Sequence, residues 1–481
     1  MAQAGVKEGG RHLELADELK SGQMWEDLKP TPAKVRTWGA RDYLTLWLGM
    51  GISVPAWMLG GSMIAAGFDW AWAVTTVLLG QLIVLVPLIL NSFPGARYGI
   101  PFPVLLRASF GPRGAHLPAM MRSLVGCGWF GIQTWIGGLA MDRLLLGLTS
   151  GWEGVPYHTW IAFASFWLLS MALCYLSPPA RAMPGMRWAL RISAPALFAV
   201  GLGLLLWSVS RAGWGPLMAQ PMGFEAFSPE FWRLFLPSLT AMVAFWSTFA
   251  VNISDLTRFA RDQRAQVLGQ ALGLPSAMTA FAFMGIASAS ASALIFGVAI
   301  WDPTELCLRT GSGVFVSLGL IFIILSTMVR NLAANVVAPA YGFANLWPRR
   351  VSFWRGALLT GILGVAIMPW RLLESYGAYV YDWLGTYGAF LGAIAGVLIA
   401  DYWLVKGRRL RLRDLYSKEG IYRYVGGVNP LALVALTAGI AFALFIPGAK
   451  ACSWFVSFGV GLALYSALMK VKGSDGRKCP I

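Results

Sequence analysis

Trp129 and Gln133 stand four residues apart in the stretch Cys127-Gly-Trp129-Phe-Gly-Ile-Gln133-Thr-Trp135, so on a helix they share one face. An indole presents a flat π surface, and a primary amide offers both a donor and an acceptor. Together they suit a planar ring edged with C=O and N–H groups. The same pair would equally serve as an interhelical hydrogen bond beside a packed tryptophan. Phe245-Trp246-Ser247-Thr248 supplies a second indole able to cover the other face of such a ring, or simply to pack. Asn331 and Asn335 repeat the spacing of four. In Trp47-Leu-Gly49-Met-Gly51-Ile52-Ser53-Val-Pro55, two glycines and a proline predict an interrupted helix with free carbonyls, or a kink.

Arg330 lies deep in the apolar run 314–337. At ~1.5 Å per residue such a run can cross a ~30 Å hydrocarbon core. A guanidinium keeps its proton there and costs at least ~3 kcal/mol, so it must face protein or water and have a partner. On an ideal helix it sits ~140° from Asn335, which assigns it to a different neighbour.

These groups need apolar helices to hold them, and the composition supplies those. The 481 residues are 57% hydrophobic and 12% charged, about half the charge of a soluble domain. Twelve spans are predicted, at about 43–68, 70–92, 117–147, 157–176, 188–210, 231–253, 268–298, 314–343, 354–370, 377–403, 430–447 and 451–469. A hydrophilic tail, 1–42, precedes them, so no cleavable leader is expected. Segments 404–429 and 470–481 are a basic loop and a tail.

The formal charge of +16 follows topology rather than nucleic-acid binding. Of the 38 Lys and Arg residues, 30 fall on the side of the two tails; six, Arg143, Arg211, Arg233, Arg309, Arg371 and Lys450, fall on the other. Arg122 and Arg330 lie within spans. This is the positive-inside pattern, placing both termini in the cytoplasm.

The three histidines and the span-end carboxylates form no HExxH, paired-carboxylate or Ser-His arrangement within a span. Five scattered cysteines have no metal-ligand spacing, so no cofactor is expected. Amides, hydroxyls, indoles and helix breakers bind reversibly, which predicts a transporter rather than an enzyme.

Several long motifs occur together: Arg97-Tyr-Gly-Ile-Pro-Phe-Pro-Val-Leu-Leu-Arg107-Ala-Ser-Phe, Trp129-Phe-Gly-Ile-Gln-Thr-Trp135, Asn252-Ile-Ser-Asp255-Leu-Thr-Arg258-Phe, Ala333-Ala-Asn-Val-Val-Ala-Pro-Ala-Tyr341 and Ala400-Asp-Tyr-Trp403. In this order they resemble the nucleobase–cation symporter-1 family, most closely its bacterial allantoin and hydantoin permeases, from Arg36 to about Arg423. The resemblance implies an all-α membrane protein with the leucine-transporter fold. Two inverted five-span repeats, about 43–210 and 231–403, would be followed by two accessory spans within 430–469. It implies uptake of a flat cyclic amide (allantoin, a hydantoin, or a nucleobase such as uracil) across the bacterial cytoplasmic membrane by alternating access. Trp129 and Trp246 match the aromatic pair that sandwiches the ring, with Phe245 beside them. Gln133 and Asn335 match the amides that read its edge, and Ser53 stands where relatives have a longer amide.

In sodium-coupled relatives, backbone carbonyls at the positions of Gly49 and Ile52 and hydroxyls at positions 329 and 330 hold the cation. Val329 and Arg330 supply no such ligand. The expectation is that Arg330 occupies that place, ties span 8 to span 1 and makes transport sodium-independent. The alternatives are sodium-driven transport of the same substrates, or carriage of another small solute on this fold. Proton coupling stays open, with Asp382 the nameable carboxylate.

Overall fold

The computed structural model describes residues 6–9, 12–15, 28–176, 179–311, 313–346, 350–417 and 419–474. A hairpin of β1 (Val6–Gly9) and β2 (His12–Leu15) precedes an otherwise helical chain. The first half runs through α1 (Ala40–Gly51), α2 (Val54–Ala65), α3 (Trp70–Tyr98), α4 (Phe102–Phe110), α5 (His116–Leu148), α6 (His158–Leu176), α7 (Pro179–Ala212) and α8 (Trp214–Met218). Next come α9 (Pro229–Phe245), α10 (Ser247–Asn252), α11 (Ser254–Thr257), α12 (Gln263–Phe296), α13 (Pro303–Arg309), α14 (Gly313–Asn331) and α15 (Val337–Leu346). The last are α16 (Phe353–Ala366), α17 (Pro369–Leu372), α18 (Gly385–Ile399), α19 (Pro430–Phe445) and α20 (Ser453–Ser474).

Among the described residues eight helices are long and apolar enough to cross a bilayer, and α1 with α2 forms a ninth span bent by 58°. Two shorter apolar helices, α16 and α19, fall on expected spans. The remaining expected span, 231–253, is divided between α9 and α10.

The bend in span 1 falls where glycine and proline predicted it. Ile52 (φ −76°, ψ 87°) and Ser53 (φ −144°, ψ 147°) leave helical geometry, and Pro55 opens α2 at a position that needs no N–H donor. No backbone N–H at the break reaches the carbonyl of Gly49 or Ile52. α2 lies close against α12, where a Cβ on Gly60 would come within 2.7 Å of the Ala282 carbonyl.

Span 6 carries no Gly/Pro signature near Trp246, yet the helix breaks there, with Trp246 at φ −99° and ψ 2°. A group on another helix supports the break: the Tyr387 hydroxyl donates to the Ala244 carbonyl at 3.0 Å, alongside the Trp246 N–H. α14 and α15 are joined by a π turn at Leu332–Val336, and further π turns occupy Ala378–Leu384 and Ala400–Val405. Such wide turns are common at functional sites.

The 404–429 segment is packed rather than free: Leu410, Leu412, Leu415 and Tyr422 are buried in it. Tyr98 accepts from the Leu410 N–H at 2.9 Å, and Arg107 Nη1 donates to the Leu415 carbonyl at 3.2 Å. At its centre Lys406 pairs with Asp401, which also accepts from Ser109 Oγ (2.8 Å) and the Tyr465 hydroxyl (2.7 Å). This cluster ties span 10 to α4, the basic segment and α20.

Candidate functional site

Trp129 is buried on α5 and meets Phe245 edge-on at 5.1 Å between ring centroids. Phe245 is the last residue of α9 and packs at 5.1 Å on Trp246, the residue at the break. The two expected tryptophans therefore flank Phe245 rather than facing each other directly. Trp246 also meets Trp47 of α1 at 5.2 Å, which joins the break in span 6 to the half-helix preceding the break in span 1. Its Nε1 is buried without a hydrogen-bond partner.

The amides approach α5 from the other side. Asn331 Nδ2 donates to the Phe130 carbonyl (3.0 Å) and to Thr134 Oγ1 (3.1 Å), the immediate neighbours of Trp129 and Gln133. Asn331 Oδ1 in turn accepts from Asn335 Nδ2 at 3.0 Å. Asn331 is thus a bracket that fixes Asn335 at the level of the aromatic cluster and leaves Asn335 Oδ1 free to accept. Gln133 is half-buried and makes no hydrogen bond among the described residues, so its amide is available too. Ser53 is buried in the break of span 1, and its side chain makes no cap bond.

Two aromatic residues absent from the expected set complete the cluster. Trp383 and Tyr387, on span 10, lie 6.0 and 6.2 Å from Trp129 and 4.9 Å from each other. Trp383 Nε1 is a second buried indole donor without a partner. Its ring lies directly over the α5 backbone: a Cβ on Gly128 would stand 2.0 Å from Trp383 Cη2, so only glycine fits there. Their spacing of four on one helical face was the available signal, the same one that marked Trp129 and Gln133.

Arg330 is placed differently from expectation. It is buried, but Nε, Nη1 and Nη2 donate to no group, so the expected tie to the carbonyls of Gly49 and Ile52 is not made. α14 packs on α5 and α7, with Ser326 Oγ bonded to the Ser193 carbonyl of α7 at 2.9 Å. Arg330, one turn beyond Ser326, follows that face. The π turn also makes its angle to Asn335 smaller than on an ideal α-helix, because i→i+5 bonding widens the turn. Val329 is a half-buried neighbour without a polar atom. Asp382 is exposed and paired with Lys450 at 3.2 Å, away from the aromatic cluster.

A polytopic helical bundle with broken spans around a buried aromatic–amide cluster is a membrane transporter. The chain belongs to the nucleobase–cation symporter-1 permeases: residues 30–467 match the family described as permease for cytosine/purines, uracil, thiamine, allantoin. It is 44% identical over 426 residues to the purine-uracil permease NCS1 of Arabidopsis thaliana, covering 86% of this chain and 70% of that one. It is 35% identical over 463 residues to the allantoin permease of Bacillus subtilis, covering 93% of each. Among solved structures, the inward-facing conformation of Mhp1 matches with TM-score 0.81 and 25% identity over 94% of each chain. Mhp1 in a closed conformation with bromovinylhydantoin bound matches with TM-score 0.77 and 25% identity, over 94% of this chain and 97% of that one. The protein is a multi-pass, nearly all-helical permease, not an enzyme.

Proposed function

We propose that this permease carries a flat cyclic amide (allantoin, a hydantoin or a nucleobase such as uracil), bound by Trp129, Phe245, Trp246, Gln133, Asn335 and Ser53. The observation that carries this reading is the bracket from Asn331 to α5. It holds an amide acceptor on Asn335 beside an aromatic cluster whose Trp246 and Trp383 N–H groups lack partners. A planar ring with alternating C=O and N–H groups would stack on the indoles and pair with these groups in its own plane. Uracil and hydantoin share that edge. Ser53 reaches less far than an amide and leaves room for a larger ring or a bridging water.

The permease sits in the cytoplasmic membrane with both termini inside, since 30 of its 38 basic residues lie on that face. The free carbonyls at Gly49 and Ile52 mark a place for positive charge, and Val329 and Arg330 offer a hard cation no side-chain oxygen. Arg330 supplies that charge from the protein itself, engaging the carbonyls in a conformation other than the one seen here, and transport proceeds without sodium.

A ligand panel read by thermal shift tests the substrate class, since a ligand that binds the native state stabilises it by roughly 2.7 kcal/mol at a hundredfold excess over Kd. Uracil, hydantoin and allantoin are the expected hits, with at least one raising the melting temperature. If amino acids or quaternary amines stabilise the protein while no cyclic amide does, the substrate class is wrong.

A further inference from the structure

Arg122 lies on the face of α5 that carries the aromatic site. Trp129 and Gln133 follow it by seven and eleven positions, which on a helix puts each within ~20° of Arg122 around the axis, with Trp129 ~10 Å above it. Gly126 falls on that face between Arg122 and Trp129. A Cβ there would stand 3.5 Å from Arg122 Nη1 and 2.6 Å from Pro339 Cγ of α15. The guanidinium therefore reaches one turn toward Trp129 and lies beside the seam where α15 packs on α5. That seam is continuous with the site. At its upper end Asn331 bonds the Phe130 carbonyl and Thr134. At its lower end a Cβ on Gly342 would stand 2.2 Å from Ser123 Oγ. Descending from Asn331 through Asn335 and Pro339 to Gly342 thus follows α5 down from Thr134 to Ser123, with Arg122 at the foot.

Arg122 is 5% exposed, and its Nε and Nη1 are buried without a hydrogen-bond partner. Arg143, near the other end of α5, shows the contrast: it bonds Asp302 and Thr304 at the start of α13. A guanidinium keeps its proton, so burial without a partner is a standing cost. A ligand carbonyl arriving beside Arg122 would remove that cost through charge-assisted hydrogen bonds, to which a guanidinium brings forked N–H groups.

We propose that Arg122 forms an inner subsite for the cyclic amide, met as the ligand moves from the aromatic cluster toward the basic-loop side. Its N–H groups take over the ring carbonyls that the indole N–H groups of the upper site release. The subsite acts on passage rather than on affinity, because the ligand reaches it only after leaving Trp129 and Trp246. An interaction made after the first bound state lowers the barrier to exit without tightening that state. This inference rests on the substrate reading above and on the proposed orientation.

The full-length permease in proteoliposomes tests this with Arg122→Gln and Arg122→Lys. The probes are uracil and hydantoin and their dithio analogues, whose sulfur atoms accept hydrogen bonds weakly. Arg122→Gln should leave the Kd of the oxygen ligands within about threefold and lower their maximal uptake rate about tenfold, a loss of rate without a loss of ground-state binding. The dithio analogues should lose less than about twofold, since the guanidinium does little for them in the unmodified protein. Arg122→Lys keeps a charged donor and should recover part of the rate. Unliganded Arg122→Gln should melt no lower than the unmodified protein, because an unpartnered charge is removed and no pair is broken. A lowered melting temperature, equal rate losses for oxygen and sulfur ligands, or an unchanged rate for both overturns the subsite and leaves the substrate reading standing. Failure of uracil and hydantoin alike to bind the unmodified permease overturns both.

Discussion

Replacing Trp129 with alanine should weaken binding of the cyclic amide by ~5- to 150-fold, the loss that goes with ~1–3 kcal/mol per stacked base. The protein should remain folded. Trp129 meets Phe245, Trp383 and Tyr387 edge-on. Trp129→Phe should retain most of the affinity because a flat π surface remains. Asn335→Ala should lose as much or more: it removes the free acceptor and leaves Asn331 Oδ1 without its donor, while the bracket from Asn331 to the Phe130 carbonyl survives. Titration calorimetry with the strongest hit of the ligand panel measures all three. Undiminished affinity in both alanine variants would place the substrate elsewhere.

The second large effect concerns stability. Asp401 and Lys406 are 1% and 3% exposed and form an ion pair. Removing one member of a buried pair costs about 3–5 kcal/mol, because the other charge is left without a partner. Asp401→Ala also removes the acceptor to which the Ser109 and Tyr465 hydroxyls donate. It should therefore be the most destabilising single change on the basic-loop side, with loosening of α20 and of the 404–429 segment. Replacing the pair by Leu and Met together should be far milder than Asp401→Ala alone. Melting curves of the three variants check this, and equal losses in the single and double variants would contradict it.

The pattern of effects shows which parts of this protein are written locally. The break in span 1 was legible because Gly49, Gly51 and Pro55 each act on their own backbone. The break in span 6 was not, because its support is the Tyr387 hydroxyl, 143 residues away in sequence from Ala244. The same distinction runs through the site. Trp129 and Gln133 announced themselves by a spacing of four, and so did Asn331 and Asn335. Asn331 proved to be the bracket rather than a free amide, a role visible only with α5 in place. Trp383 and Tyr387 had the same spacing but drew no attention beside Asp382, whose charge turned out to be exposed and paired with Lys450. Arg330 was legible as an expensive buried charge; its partner was not, because the conformation seen here leaves all three nitrogens unbonded.

That last point joins site to mechanism. The carbonyls at the span 1 break are free, and Val329 and Arg330 carry no hydroxyl. If Arg330 supplies the positive charge at these carbonyls, as proposed above, no sodium ion is needed to complete the transport-ready state. The most direct measurement is uptake of radiolabelled uracil, hydantoin or allantoin into proteoliposomes prepared without sodium, compared with the same vesicles under an inward sodium gradient. Saturable uptake of at least one of the three, equal in the two conditions, is the predicted result. Uptake that appears only with the sodium gradient, or no uptake of any of the three, would contradict it.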